Sequence, residues 1–185
     1  MTISPHMEVL VTRRLTLRPP LQVDAESMAA ALSNPNVARN LSKVPHPYSQ
    51  KEAEKWIRAK AKEPCVFTIH REQLAGVVSI IDGPDMPKLG YWLAEPFWGQ
   101  GYMTEAARAA LAHAFRKFEV DCIGSYAITD NQPSLNIMSK LGFEEVGKGT
   151  VFNITRGEGY PTIKTEVTRE RFENLFGSLE NTQAA

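Results

Sequence analysis

Polar and apolar residues alternate through Arg14-Leu15-Thr16-Leu17-Arg18 and the run stops at Pro19-Pro20, a pattern that predicts a half-buried strand ended by residues unable to continue a ladder. Asp24 is placed to cap a helix carrying Met28, Ala31 and Leu32, and Asn34-Pro35 closes that helix because a residue before proline avoids the helical region. Pro45-His46-Pro47-Tyr48 reads as loop. Behind it Ser49-Gln50-Lys51-Glu52 has the capping-box form, followed by a helical stripe of Ala53, Trp56, Ile57 and Lys60. Val66 to Ile69 and Leu74 to Ile81 are apolar runs joined by Arg71-Glu72-Gln73, which predicts an antiparallel hairpin, and Gly83-Pro84 breaks the chain after it.

Further along, Leu89 to Ala94 is strand-like, and after Pro96 and a glycine-bearing loop Met103, Ala107, Leu111, Ala114 and Phe118 recur at helical spacing. Ile123 to Thr129 gives the next strand. A helix from about Pro133 ends at Gly142, with Phe143 set to fold back on Met138 in a Schellman-type cap. Val151 to Ile154 and Ile163 to Val167 flank Arg156-Gly157-Glu158-Gly159-Tyr160-Pro161 as a closing hairpin. Thr168 then caps a short helix containing Phe172 and Leu175, and the residues after Gly177 are expected to fray. Strands and helices mixed in this order predict one α+β domain over residues 1–185, its core from about 9 to 176, with a largely antiparallel sheet.

Composition narrows the function classes. The 185 residues are 43% apolar and 23% charged, enough for a core, and lysine plus arginine equals aspartate plus glutamate at 21 each. That balance gives no electrostatic footprint for nucleic acid or an anionic membrane, so neither is expected as a partner. Cys65 and Cys122 lack metal-ligand spacing, so no metal site is expected and both thiols read as inert in a reducing compartment. Met1 to Leu10 has no apolar stretch of the signal-peptide kind and no run approaches membrane-spanning length, which points to the cytoplasm.

The chemistry is concentrated in Trp98-Gly99-Gln100-Gly101-Tyr102-Met103-Thr104, between the strand ending near Ala94 and the helix that follows. Gly99 and Gly101 let the backbone come close to a ligand, and the first helical turn offers unpaired N–H donors and the positive end of a dipole, together an anion site without a lysine. Taken alone the same glycines better suit a tight connector, and the third glycine of a dinucleotide fingerprint is missing.

The run Gly90-Tyr91-Trp92-Leu93-Ala94-Glu95-Pro96-Phe97-Trp98-Gly99-Gln100-Gly101-Tyr102-Met103-Thr104-Glu105-Ala106 closely resembles the signature of the GNAT N-acetyltransferases, in the branch named for ribosomal-protein N-terminal acetyltransferases. Asn131-Gln132-Pro133-Ser134 with Lys140-Leu141-Gly142-Phe143 is similar to that family's second anchor. A weaker likeness runs from Leu15-Thr16-Leu17-Arg18-Pro19 through Pro47-Tyr48-Ser49 to Phe172.

The resemblance implies a GNAT fold, its sheet splayed in the middle with helices on both faces, and acetyl-CoA as cosubstrate without a metal. The pantetheine arm would meet the strand at Trp92, Leu93 and Ala94, the pyrophosphate would meet the loop from Trp98 to Thr104, and Asn131 and Ser134 would face the cofactor. Met138 stands where many relatives carry a proton-donating tyrosine. Ser134 is therefore the substitute catalytic candidate, its alternative being a hydroxyl that serves the helix terminus. Lys88 stands where relatives often carry an acid, and Glu95 is a candidate to relay a proton through water, its alternative a solvated loop residue. By family analogy Tyr48 borders the acceptor entrance, whereas Trp92, Phe97, Trp98 and Tyr102 serve either pocket or core. Glu105 reads as a complement to the dipole, and Arg13, Arg14 and Arg18 as a solvated strand face.

The implied reaction is acetyl transfer to a primary amine. An α-amino group titrates near ~8 against ~10.4 for lysine, which favours a protein N-terminus as acceptor. A small-molecule amine as acceptor and a non-catalytic acyl-CoA sensor stay open, as does assembly into a homodimer.

Overall fold

In the computed structural model, which describes residues 8–179, the first half of the chain builds one antiparallel sheet. Strands β1 (Leu10–Val11) and β2 (Thr16–Arg18) pair through Leu10 and Leu17, and the alternation of buried Leu15 and Leu17 with half-buried Thr16 and Arg18 fixes which face meets the core. Helices α1 (Ala25–Leu32), α2 (Pro35–Ala38) and α3 (Gln50–Lys60) follow, then strands β3 (Val66–His70), β4 (Leu74–Ile81) and β5 (Lys88–Leu93). Helix α4 (Tyr102–Phe118), strand β6 (Cys122–Ile128), helix α5 (Gln132–Lys140), strands β7 (Glu144–Asn153) and β8 (Glu158–Thr168) and helix α6 (Arg169–Phe176) complete the order. The eight strands run β1-β2-β3-β4-β5-β6-β8-β7, and only the β5–β6 pair is parallel.

Helices cover both faces. Val78 and Ile80 of β4 turn to one side and pack with Ala106, Ala110 and Phe115 of α4, whose run of alanines lets that helix lie close to the sheet. Val77 turns the other way, into a smaller cluster with Met28 and Leu32 of α1 and Ile57 of α3. No helix among the described residues is long and apolar enough to cross a membrane.

Local signals behave as expected where a partner lies within a few residues. Ser49 and Glu52 form the capping box of α3, and Gly142 at φ 88° ends α5 with Phe143 N–H on Met138 O (3.0 Å) and Gly142 N–H on Ser139 O (3.1 Å). Asp24 differs: its side chain makes no cap bond to α1. It lies in a 3₁₀ turn before α1, 4% exposed, accepting from Leu21 N–H at 2.9 Å and from both Arg18 nitrogens at 2.9 and 2.6 Å. A buried carboxylate takes the strongest donor in reach, and a bidentate guanidinium exceeds a single amide. Arg18 is thus a paired residue, not a solvated one. Asn34-Pro35 closes α1 and also opens α2, since Asn34 accepts from Asn36 N–H and proline suits the first helical position.

The last hairpin is about twice as long as the apolar pattern indicates, because β7 is an outer strand with Val146 and Phe152 exposed and glycines at 147 and 149, so it carries no clean alternation. Of the expected fraying, residues 180–185 lie outside the described residues, as do 1–7 of the N-terminal reading.

Candidate active site

β5 and β6 meet at one point. Lys88 pairs with Gly124, Gly124 N–H donates to Pro87 O at 2.9 Å, and Ser125 Oγ donates to Leu89 O at 3.0 Å. The Met86 side chain lies against Gly124, its Sδ 2.9 Å from where a Cβ would stand. Beyond this fork the strands part, and a cavity of about 590 Å³ opens between Leu89–Leu93 and Ser125–Ile128, within the range of ligand sites. The carbonyls of Leu89 and Leu93 turn away from β4, to Ser125 Oγ and to the Trp98 indole N–H (2.8 Å), while Ser79 on β4 donates to Gly90 O. By strand alternation the main-chain groups of Tyr91 also face the gap, where β6 no longer pairs with them.

The glycine loop closes one end of the gap. Gly99 and Gly101 sit at φ 72° and 76°, a region that favours glycine, and together they swing the chain from a 3₁₀ turn (Glu95–Phe97) into α4. The first main-chain bond of that helix is Glu105 N–H to Gly101 O at 3.1 Å. The amides from Gly99 to Thr104 therefore donate to no carbonyl among the described residues, and the dipole of a 17-residue helix adds its positive end.

Arg14 braces this loop, which corrects its reading as a solvated residue. Its guanidinium donates to Gln100 O (3.0 Å) and Glu105 (2.7 Å) and lies 4.5 Å over the Tyr102 ring. Glu105 accepts as well from Thr12 Oγ1 (2.7 Å) and Arg14 N–H (2.9 Å). Burial alone would raise the Glu105 carboxyl, but these bonds and the Arg14 charge outweigh it and hold the group below the usual carboxylate range.

Most of the residues expected to hold a cofactor line the cavity. Trp92 and Leu93 come from β5, Trp98, Gly99 and Gly101 from the loop, Tyr102, Met103 and Thr104 from α4, and Asn131 and Ser134 from the start of α5. Ala94 and Gln100 lie outside the lining: Ala94 N–H donates to Ala75 O, and the Gln100 side chain donates to Pro96 O. Of the two residues expected to act chemically, Ser134 is on the cavity wall. Glu95 is exposed outside it, its carboxylate accepting from the Asn34 and Asn36 side chains. Tyr48 lies away from the entrance, buried in the smaller core cluster. Lys88 is exposed at the closed end of the fork, also outside the lining.

Ser134 does not serve the helix terminus, because Asn131 does: the Asn131 side-chain carbonyl accepts from Ser134 N–H at 3.3 Å. Ser134 Oγ instead meets Tyr91 OH at 2.9 Å, and Tyr91 OH also reaches Ser134 O at 3.2 Å. Burial, offset only in part by Ser134, pushes the Tyr91 phenol up to about 12. Tyr91 was hidden in the sequence because it sits between Leu89 and Leu93 on the core-facing side of β5. Met138 is buried, its sulfur accepting from Thr165 Oγ1 at 3.2 Å, and it has no proton to give.

The β7–β8 turn packs on the segment from Arg39 to Val44, of which Asn40, Leu41 and Ser42 line the cavity. Ile154 N–H donates to Ser42 O (3.1 Å), Asn153 Nδ2 to Arg39 O (2.9 Å) and Thr155 Oγ1 to Val44 O (2.9 Å). Arg156 ties that segment to the end of β6, donating to Arg39 O (2.8 Å) and pairing with Asp130 (2.8 Å), whose carboxyl that bond holds below its ordinary value. On the cavity wall Ser42 Oγ and Tyr126 OH lie 3.1 Å apart. Lys140 is the one charged residue in the lining among the described residues.

Comparison with known proteins agrees with this geometry. The family model described as an acetyltransferase (GNAT) domain matches residues 14–144. The SPbeta prophage-derived uncharacterized N-acetyltransferase YokL of Bacillus subtilis is 27% identical over 147 residues, 76% of this chain and 83% of that protein. The putative ribosomal N-acetyltransferase YdaF of the same organism is 34% identical over 61 residues, 33% of each chain. Among solved structures, a GNAT-family acetyltransferase from Bacillus anthracis superimposes with a TM-score of 0.77 at 18% identity, covering 88% of this chain and 99% of that one. The ribosomal-protein α-N-acetyltransferase RimL in complex with coenzyme A superimposes with a TM-score of 0.75 at 22% identity, covering 87% and 98%. The two solved structures speak for the fold. The family match, which spans both the forked sheet and the glycine loop, shows that this chain belongs to the GNAT acetyltransferase family and is an N-acetyltransferase.

Proposed function

We propose that the protein transfers the acetyl group of acetyl-CoA to the α-amino group of a protein or peptide N-terminus, working in the cytoplasm. The observation that carries this reading is the junction of two features in one cavity. A row of unpartnered amides from Gly99 to Thr104 fits a diphosphate, and it leads into a fork whose strand edge at Tyr91 fits an extended amide-bearing arm. Free Cys65 and Cys122, with burial pushing the Cys65 thiol up to about 12, suit a reducing compartment.

The acceptor follows from charge. Lys140 is the only charged group on the described cavity wall, so no carboxylate is there to gather a polycation such as a polyamine or aminoglycoside. The wall offers Asn40, Ser42, Tyr126 and Asn136 instead, which fit the amide and hydroxyl groups of a peptide. The titration range of an α-amino group leaves a useful neutral fraction near pH 7, so a strong base is not needed. Kinship in fold with a ribosomal-protein α-N-acetyltransferase supports the same acceptor class.

In this reading the amine nitrogen attacks the acetyl carbonyl carbon, the carbon–sulfur bond breaks, and the proton lost by nitrogen ends on sulfur. Main-chain N–H groups on the β5 edge polarise the carbonyl, and the fork holds donor and acceptor in line. Ser134 donates a hydrogen bond to the departing sulfur. Glu95, held by Asn34 and Asn36, acts on the proton leaving the amine only through water at the mouth.

Thiol release from acetyl-CoA, measured with N-terminal peptides, spermidine and an aminoglycoside in parallel, tests the reading. Peptides turning over faster than either small amine is the expected result. Faster turnover of the small amines overturns the acceptor assignment.

A further inference from the structure

The Tyr91 side chain has no part in the reaction given above, although its hydroxyl meets Ser134. We propose that Tyr91 is a positioning residue for acyl transfer, its hydroxyl donating to Ser134 Oγ so that the Ser134 O–H turns into the cleft toward the leaving sulfur. This rests on the role given to Ser134 in the proposed reaction.

The argument is one of proton counting. Two hydroxyls 2.9 Å apart carry one proton each, and the Ser134 carbonyl, 3.2 Å from the phenol, can only accept. In one arrangement Ser134 donates to Tyr91 and Tyr91 donates to that carbonyl, which leaves no proton for the cleft. In the other, Tyr91 donates to Ser134 Oγ and the serine proton is free. Apart from Tyr91, no described residue accepts from Ser134 Oγ, and Ser134 lies on the cavity wall, so the freed proton has the cleft as its direction. Negative charge developing on sulfur selects the second arrangement, because a hydrogen bond to an anion is roughly twice as strong as a neutral one.

The helix end places no competing claim on the serine, since Asn131 already receives Ser134 N–H. Burial keeps Tyr91 protonated, with its titration pushed up to about 12, so it remains a donor around pH ~8, where an α-amino group becomes neutral. The phenol and the serine keep their own protons throughout. A thiol titrates near ~8.5, far below Tyr91, so the phenol orients and does not protonate.

The test is a kinetic cycle of Tyr91→Phe, Ser134→Ala and the double variant, with acetyl-CoA and an N-terminal peptide, alongside thermal unfolding. Phenylalanine keeps the ring in its slot and removes only the hydroxyl. Tyr91→Phe is expected to lower kcat about tenfold, equivalent to about 1.4 kcal/mol, with the KM for acetyl-CoA within about twofold of wild type. The double variant is expected to be no slower than Ser134→Ala alone, because the phenol acts only through the serine. Wild-type kcat in Tyr91→Phe, or defects that multiply and carry a raised KM, overturns the proposal while leaving the reaction and Ser134 in place. Wild-type kcat in Ser134→Ala overturns the serine's role and the tyrosine's with it.

Discussion

Gly101 offers a way to separate the glycine loop's conformational role from its binding role. Its φ of 76° is costly for any residue with a Cβ, by about 1–2 kcal/mol, and an added Cβ meets only Arg14 Nη2 at 3.5 Å, an ordinary contact. Gly101→Ala should therefore fold with a melting temperature lower by about 2–8 °C, at ~2–4 °C per kcal/mol for a domain of this size. Gly157, at φ 75° on the β7–β8 turn with nothing within 4 Å of an added Cβ, carries the same conformational cost far from the loop. It serves as the matched control. At Gly101 the methyl group is added at the N-cap of α4, inside the loop whose amides are proposed to meet the diphosphate. Loss of even one charge-assisted hydrogen bond costs about 1.5–3 kcal/mol, so coenzyme A should bind roughly ten- to a hundredfold more weakly. Titration calorimetry with coenzyme A on both variants decides the matter. Equal affinity in Gly101→Ala and Gly157→Ala, with both destabilised alike, would refute the assignment of the diphosphate to this loop.

Three further outcomes follow from the same geometry. Arg156→Ala removes the link from Arg39 O to Asp130 and loosens the segment that carries the wall residues Asn40 to Ser42, so the KM for the acceptor should rise about fivefold or more while the KM for acetyl-CoA stays unchanged. Glu105, depressed in the folded chain below its ordinary 4.5, contributes stability that is complete above that value and is lost as pH falls through the lower folded-state value. Urea unfolding at pH 7 and at about pH 3.5 should show a larger loss for wild type than for Glu105→Gln. Glu95→Gln should leave kcat within about threefold, since the carboxylate lies outside the cavity wall; a loss of a hundredfold would make it a direct base.

What the sequence revealed and what it hid divide along contact distance. The capping box at Ser49 and Glu52 and the Schellman turn at Gly142 are written in residues three to six apart, so pattern reading finds them. The glycine loop was legible because two left-handed positions before an amphipathic helix demand glycine. The fork came only through the family resemblance and left no trace in pattern or spacing, since it depends on a single parallel contact, Lys88 with Gly124, and on β6 running on to β8 instead of following β5. Arg14 with Glu105 lies 91 residues apart and Tyr91 with Ser134 lies 43 apart, so neither pair leaves a local trace. Tyr91 is doubly concealed, because its place in an apolar alternation is what a core aromatic also shows.

A crystal structure of the protein with coenzyme A tests the central claim most directly. The account predicts diphosphate oxygens about 2.7–3.1 Å from amides between Gly99 and Thr104, and the thiol in the fork beside Ser134. Coenzyme A bound elsewhere, with those amides facing only solvent and β5 and β6 paired along their length, would contradict it.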